Sequence, residues 1–326
     1  MRSYPKYYIG PMSKNIVDAI LEFCEETGNK IGLIPSRRQV EWNGGYVNNW
    51  TTRDFSKYSN KILLKRDHAG PGQGYTDDDG FESLKYDCKY LDMIHIDPWK
   101  KYPGYEEGLT WTIKMIKFCY QQNPNIEFEV GTEESIRCFT SIEINILLTD
   151  LELTLTQKEY SQVKYIVIQS GTSLKGNINT GSYDKDRLIS MIKIAKSHNM
   201  LCKEHNGDYI PVNLIKEKFE LGLDSINIAP EFGQIETKVY LEKIKNERPE
   251  LLEVFYEICF DSKRWVKWVG EDFNPDEQKE ELINICGHYV LTNADFIRNI
   301  RSQFDRIHIE VKDRIKDKLK ELTTWK

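Results

Sequence analysis

Eight short apolar runs punctuate the chain, each followed by a polar or glycine-containing stretch and then a helical pattern. The runs are YYIG (7–10), IGLIP (31–35), ILLK (62–65), MIHI (93–96), FEV (128–130), YIVIQ (165–169), LCKE (201–204) and SINIA (225–229). They are rich in Ile, Val and Tyr and too short for helices, so they read as strands. Their starts lie about one βα unit apart. The segments between them are amphipathic: MSKNIVDAILEFCEE places Ile16, Ile20 and Phe23 on one face, and YDKDRLISMIKIAKSHN does the same with Leu188, Met191, Ile192 and Ala195. PVNLIKEKFELGLD opens with Pro211 in its first turn and closes near Gly222, as helix ends prefer. Eight alternating units predict an α/β fold of the (β/α)8 barrel type. The alternative, an open doubly wound sheet, lacks its glycine fingerprint, because no G-x-G-x-x-G follows an early strand.

The pattern changes after the eighth run. From about residue 234 the chain reads as almost wholly helical, including the block SKRWVKWVGEDFNPDEQKEELINICGHYVLTN with a turn at DFNPD. The expected organisation is a barrel over 1–233 and a helical extension over 234–326, packed on the barrel or on a neighbouring subunit. The Lys-rich final turns read as a solvated helix end.

With 40% hydrophobic and 12% aromatic residues, the chain has material for a sizeable core. A net charge of −6 argues against a strongly basic nucleic-acid face. No apolar run approaches the ~20 residues of a membrane span. The N-terminal MRSYPKYYIG lacks the apolar core of a signal peptide. Seven scattered cysteines suit reduced thiols better than a disulfide frame. These features predict a cytoplasmic protein with no nucleic-acid or membrane partner.

Barrels of this kind place their chemistry at the C-terminal strand ends. There the chain has Ser36-Arg37-Arg38-Gln39, Asp67-His68, His95 and Asp97, Glu129 followed by GTEES, Gln169-Ser170-Gly171, Glu204-His205-Asn206-Gly207-Asp208, and Asn227. Three of six histidines fall at strand ends. His95, inside an apolar run, reads equally as a hydrogen-bonded core histidine or a site residue. His68 and His205 precede glycine-containing loops and read as functional, while His288 is undecided. Two imidazoles and a carboxylate at such ends suit a divalent metal, zinc by preference, with a position left open for substrate. Arg37, Arg38, Lys100 and Lys101 are candidates for binding a phosphate or carboxylate, against a reading as plain surface charge.

RRQVEWNGGYVNNWTTRDF, RDHAGP, MIHIDP, EVGTEES and KEHNGDY occur in this order, each at an expected strand end. Over about Tyr7 to Leu241 the chain resembles the class II tagatose-bisphosphate aldolase accessory (non-catalytic) subunit family. That family is similar to the zinc-dependent class II fructose- and tagatose-bisphosphate aldolases. The resemblance implies Asp67 as proton-transfer acid, His68 and His205 as zinc ligands, Glu129 as a ligand or neighbour of the metal, and Asn227 near the substrate. Asp208 is a second candidate catalytic acid, and Arg37, Arg38, Gln39, His95, Asp97 and Gln169 join Asn227 as candidate substrate-binding residues. The catalytic class carries a further zinc-binding histidine after the sixth strand and a Gly/Ser-rich phosphate loop after the seventh. Here IQSGTS and NGDY stand in those places, as in the accessory family. The expectation is a zinc- or other divalent-metal-dependent aldolase or retro-aldol epimerase acting on a phosphorylated or acidic ketose. The alternative is a non-catalytic subunit that stabilises a separate aldolase. A homo-oligomer or an aldolase partner is expected.

Overall fold

Seven of the eight expected runs form strands of a parallel barrel, and the third, ILLK, leads into one. The computed structural model describes residues 3–176 and 178–324. The barrel strands are β1 (Tyr7–Ile9), β2 (Ile31–Leu33), β3 (Lys65–Ala69), β4 (Met93–Ile96), β5 (Glu127–Val130), β6 (Val163–Ile168), β9 (Leu201–Glu204) and β10 (Ser225–Ile228). A small antiparallel hairpin, β7 (Leu174–Lys175) and β8 (Ile178–Asn179), is inserted after β6. The order is β2-β1-β10-β9-β6-β5-β4-β3. Parallel bridges Leu33–Leu64 and Ser36–Asp67 bring β3 back beside β2. The strands are buried on both faces, which is why they read as continuous apolar runs.

The third strand lies later than the sequence implies. The apolar Ile62–Leu64 leads into it, and the charged KRDH stretch is the strand itself. Lys65 and Arg66 are fully buried. Such burial requires a counter-charge. Lys65 points into the barrel, where its Nζ lies 2.5 Å from Glu129 Oε1. Arg66 meets Asp87, with its Nη2 2.7 Å from Oδ1, and also donates to the carbonyls of Pro35 and Val40. The β3–β4 register then shifts between Arg66 and Ala69, and His68 takes a left-handed φ of 46°. In a regular strand Asp67 and His68 would face opposite sides of the sheet. The irregularity leaves both lining the barrel mouth.

The helix Pro230–Glu247 runs across residue 233 and is followed by helices Leu251–Asp261, Lys279–Cys286, Ala294–Asn299 and Ile307–Thr323. Residues 262–278, expected to be helical around a turn at Asp272–Asp276, are irregular apart from the 3-10 turn Val266–Trp268. Lys263, at φ 54°, follows the end of the preceding helix. The Trp265 ring stacks on Phe260 at 5.7 Å, so the aromatic residues fold this segment back on itself. The final helix buries Val311, Ile315, Leu319 and Leu322 and packs on the helix Lys14–Thr27 and on Pro230–Glu247. Its lysines are not simply solvated: Lys312 pairs with Glu22, Lys316 with Glu26 and Lys318 with Glu231, at 2.6, 2.6 and 2.8 Å. No helix among the described residues is long and apolar enough to cross a membrane.

The Arg66–Asp87 pair gives the first expected outcome. Asp87→Ala leaves a buried guanidinium without its carboxylate and should cost about 3–5 kcal/mol in denaturant titration. A loss below about 1 kcal/mol would show that the pair does not hold β3 in place.

Candidate active site

Three imidazoles meet at the C-terminal end of the barrel. The ring centroids of His68, His95 and His205 lie 4.8–5.2 Å apart. One potential ligand atom from each, together with one from Asp67, falls within 4.8 Å of the others. His68 comes from the irregular end of β3, His95 from β4 and His205 from the residue after β9.

Hydrogen bonds decide which ring nitrogens are available. His68 Nδ1 lies 2.6 Å from Asp97 Oδ2, so its Nε2 faces the site. Asp97 is itself fixed, accepting from Trp99 N and Thr132 Oγ1. His205 Nε2 lies 2.8 Å from Glu129 Oε1, so its Nδ1 is the nitrogen left over. His95 is spent on both sides: Nε2 lies 3.0 Å from the Gly131 carbonyl, and Nδ1 accepts the His68 backbone N–H at 3.3 Å. Burial keeps His95 neutral, well below the usual histidine range. It thus combines the two sequence readings, a hydrogen-bonded core histidine standing within the site cluster. Carboxylates held on the far nitrogen commonly orient metal-binding imidazoles.

Two further acids face the open nitrogens. Asp67 Oδ2 is 3.8 Å from His68 Nε2, and Asn227 Nδ2 donates to Asp67 Oδ1 at 3.3 Å. Glu133 Oε2 is 3.6 Å from His68 Nε2 and 4.0 Å from His205 Nδ1. Burial disfavours charge on His68, yet the carboxylates of Asp67, Asp97 and Glu133 outweigh it and hold the imidazole up to about 10. A pocket that stabilises one positive charge so strongly is chemically suited to a cation. Two free imidazole nitrogens with Asp67 and Glu133 form a nitrogen–oxygen donor set that fits zinc or another divalent ion.

Glu129 lies deeper. It is buried between Lys65, at 2.5 Å, and Lys203, at 3.0 Å, as well as holding His205. Burial opposes its charge, but Lys203, Lys65 and His205 prevail and keep the carboxyl well below the usual range. Lys203 also lies 3.3 Å from the Tyr8 ring centroid, within the barrel.

Above the cluster opens a cavity of 520 Å³. Asp67, His68, His205, Asp208 and Asn227 line it, with Arg38 and Gln39 from the β2 end. Gln39 is oriented by the Ser36 N–H, which its side chain accepts at 2.8 Å. Asp208 accepts the N–H groups of Ala229 and Glu231 at 2.9 and 2.8 Å, tying the loop after β9 to the helix after β10. Burial outweighs those donors and pushes its carboxyl up to about 7.

Other candidates stand elsewhere. Arg37 is 2% exposed and does not line the cavity; it is bound to Glu41, Asp78 and the Gly70 carbonyl. Lys101 pairs with Asp77 at 2.5 Å. The Gln169 side chain accepts from Phe139 N and Arg187 and donates to the carbonyls of Thr132 and Arg137, leaving nothing for a ligand. His288 is buried behind the cavity wall, and burial brings it down to about 3.

Residues not anticipated from sequence complete the cavity. Glu133 lies in the GTEES loop, beyond the reach of strand alternation. Arg264, Lys267 and Trp268 come from the irregular 262–278 segment, and Tyr289 from the 3-10 turn Gly287–Tyr289. The basic and aromatic mixture in SKRWVKW was the available signal.

No family model and no curated protein matches the sequence. Solved structures do match the fold. A probable tagatose 6 phosphate kinase from Sinorhizobium meliloti 1021 superposes with a TM-score of 0.70 at 14% identity, covering 98% of this chain and 99% of that one. Fructuronate-tagaturonate epimerase UxaE from Cohnella laeviribosi, complexed with one glycerol, gives 0.64 at 11% identity, covering 98% and 81%. Fructose-bisphosphate aldolase from Campylobacter jejuni gives 0.56 at 12%, covering 98% and 90%. At such identities these likenesses establish a shared barrel fold.

Two outcomes follow for this site. Glu129→Gln removes the counter-charge of two buried lysines and the brace on His205; zinc affinity should fall about 10- to 100-fold, with a lower melting temperature. Unchanged zinc affinity would detach Glu129 from the candidate metal centre. Asp208 provides a pH signature. Its folded carboxyl keeps a proton that the unfolded chain loses above the ordinary aspartate range. The stabilisation is therefore full below about pH 4 and is lost as pH rises to about 7, at roughly 1.4 kcal/mol per unit. Asp208→Asn should flatten that slope in pH-resolved denaturant titrations.

Proposed function

We propose that this protein is a metal-dependent aldolase-type enzyme, cleaving or epimerising an anionic ketose by aldol and retro-aldol chemistry. The observation that carries this reading is the pairing of Asp67 with two imidazoles whose far nitrogens are fixed by Asp97 and Glu129. His68 Nε2, His205 Nδ1 and the Glu133 carboxylate would hold the ion, with the Asp67 carboxylate beside it left free for proton transfer. A bound divalent ion supplies Lewis-acid polarisation of a ketose carbonyl.

This chain's residues do the rest. The Asp67 carboxylate takes the proton from the hydroxyl on the carbon beta to the carbonyl. The bond between the alpha and beta carbons breaks, its electron pair passes toward the carbonyl oxygen, and the hydroxyl carbon leaves as an aldehyde. Reversal returns the proton from Asp67. If the aldehyde presents its other face before the bond reforms, the outcome is epimerisation. Asn227, donating to Asp67 at 3.3 Å, orients the acid.

Gln169 favours a second reading. It stands where the resemblance places a zinc-binding histidine, and its hydrogen bonds are all directed into the surrounding loops. A non-catalytic subunit that stabilises a separate aldolase would tolerate that loss.

Metal analysis and a turnover assay on ketose phosphates and ketouronates separate the two. The enzyme reading expects bound zinc or another divalent ion, loss of turnover on chelation, and its return with metal. Asp67→Asn should reduce turnover about 10²- to 10⁴-fold while metal is retained. His205→Ala should release the metal. A protein that never turns over alone, yet forms a stable complex with a co-expressed aldolase, would support the subunit reading instead.

A further inference from the structure

The mouth of the cavity carries positive charge that the protein itself does not neutralise. Arg38 and Arg264 line it with Lys267, and Lys100 stands beside Arg38. Among the described residues none of these four forms an ion pair with a carboxylate. Arg38 spends its Nε on the Gly74 carbonyl at 3.2 Å, leaving the fork of its guanidinium free. Arg264 lies over the Tyr75 ring at 4.8 Å, and Lys267 over Trp268 at 4.3 Å. The acids that reach Lys100, namely Asp97 and Glu133, already face His68. Desolvation and then the charges of Arg38, Lys100 and Arg264 bring the Lys267 ammonium down to about 8. The contrast with Arg37 and Lys101 is direct, since those two neighbours in sequence are both matched by acids.

Like charges crowded without a counter-ion are costly unless an anion joins them. Two guanidinium forks suit the oxygens of a phosphate, and a phosphate monoester carries about −1.5 to −2 charge against −1 for a carboxylate. Resting on the reading of the cavity as a ketose site, we propose that Arg38, Arg264 and Lys267 form the subsite for the substrate's terminal phosphate, with Lys100 adding positive charge from outside the lining. Two of its three lining cations, Arg264 and Lys267, come from the C-terminal segment. The barrel floor then supplies the proton-transfer acid and the metal donors, and the segment that arches over it selects a phosphorylated chain. Trp268 and Tyr289, which line the same cavity, provide an apolar wall that strengthens the charge contacts.

Calorimetric titration of the full-length protein with inorganic phosphate tests this, in zinc-loaded and metal-stripped forms, with glucuronate as the sugar-acid comparison. The double variant R264A/K267A and the single variant R38A should each bind phosphate at least about tenfold more weakly. Lys101→Ala, which removes only an outer ion pair, should bind phosphate as the wild type does. Zinc affinity should be unchanged in all three. Melting temperatures show whether the double variant is folded, and R38A carries the test should it not be. Phosphate binding that is equal in wild type and R38A overturns the subsite, as does glucuronate binding the wild type more tightly than phosphate. Phosphate binding that depends on these residues in a protein unable to bind zinc would uphold the subsite and remove the metal-dependent reading. Zinc binding without phosphate binding would do the reverse.

Discussion

Glu129 is the residue on which the interior depends. Its single negative charge faces two buried lysine side chains and one imidazole. Lys65 belongs to β3, Lys203 to β9 and Glu129 to β5, so the cluster ties three strands across the barrel. A buried charge triad is not by itself a source of stability, because desolvation offsets the attraction. Its value here is positional. By occupying His205 Nε2 the carboxylate determines which nitrogen that ring offers upward. The electrostatics of the core and the orientation of the site are therefore one arrangement.

Two charge layers result. The floor holds acids around His68 and suits a cation, while the rim holds unpaired cations and suits an anion. A ketose phosphate has groups for both, a carbonyl and hydroxyls at one end and a dianion at the other. On the proposed reading, the opposed layers would also bias the direction in which such a molecule enters, since the reverse orientation would set phosphate against Asp67 and Glu133.

Much of the barrel was legible because parallel strands buried on both faces leave apolar runs at a regular interval. The third strand was displaced from its expected place because Lys65 and Arg66 are buried by partners, Glu129 and Asp87, that are remote in sequence. Asp67, His68 and His205 could be singled out because strand ends collect polar residues that a core does not need. Glu133 lies in a loop, where the two-residue alternation no longer says which way a side chain points. Arg37 and Arg38 look equivalent as letters; only the positions of Glu41 and Asp78 reveal that one is consumed and the other is not. The 262–278 segment has helix-compatible composition, yet its aromatic residues pack locally and turn it across the mouth.

The left-handed residue in β3 has one more consequence. Because Asp67 and His68 are consecutive, their α-carbons are separated by a single trans peptide, about 3.8 Å. The spacing of these two α-carbons is thus set by covalent geometry, while the directions of the Asp67 and His68 side chains depend on the left-handed φ of His68 and on contacts with Asn227 and Asp97. Movement of β3 therefore carries both residues together, whatever their side chains do. The rim, built from a separate segment, has no such tether. Arg264 and Lys267 can therefore be replaced without moving the backbone that joins Asp67 to His68.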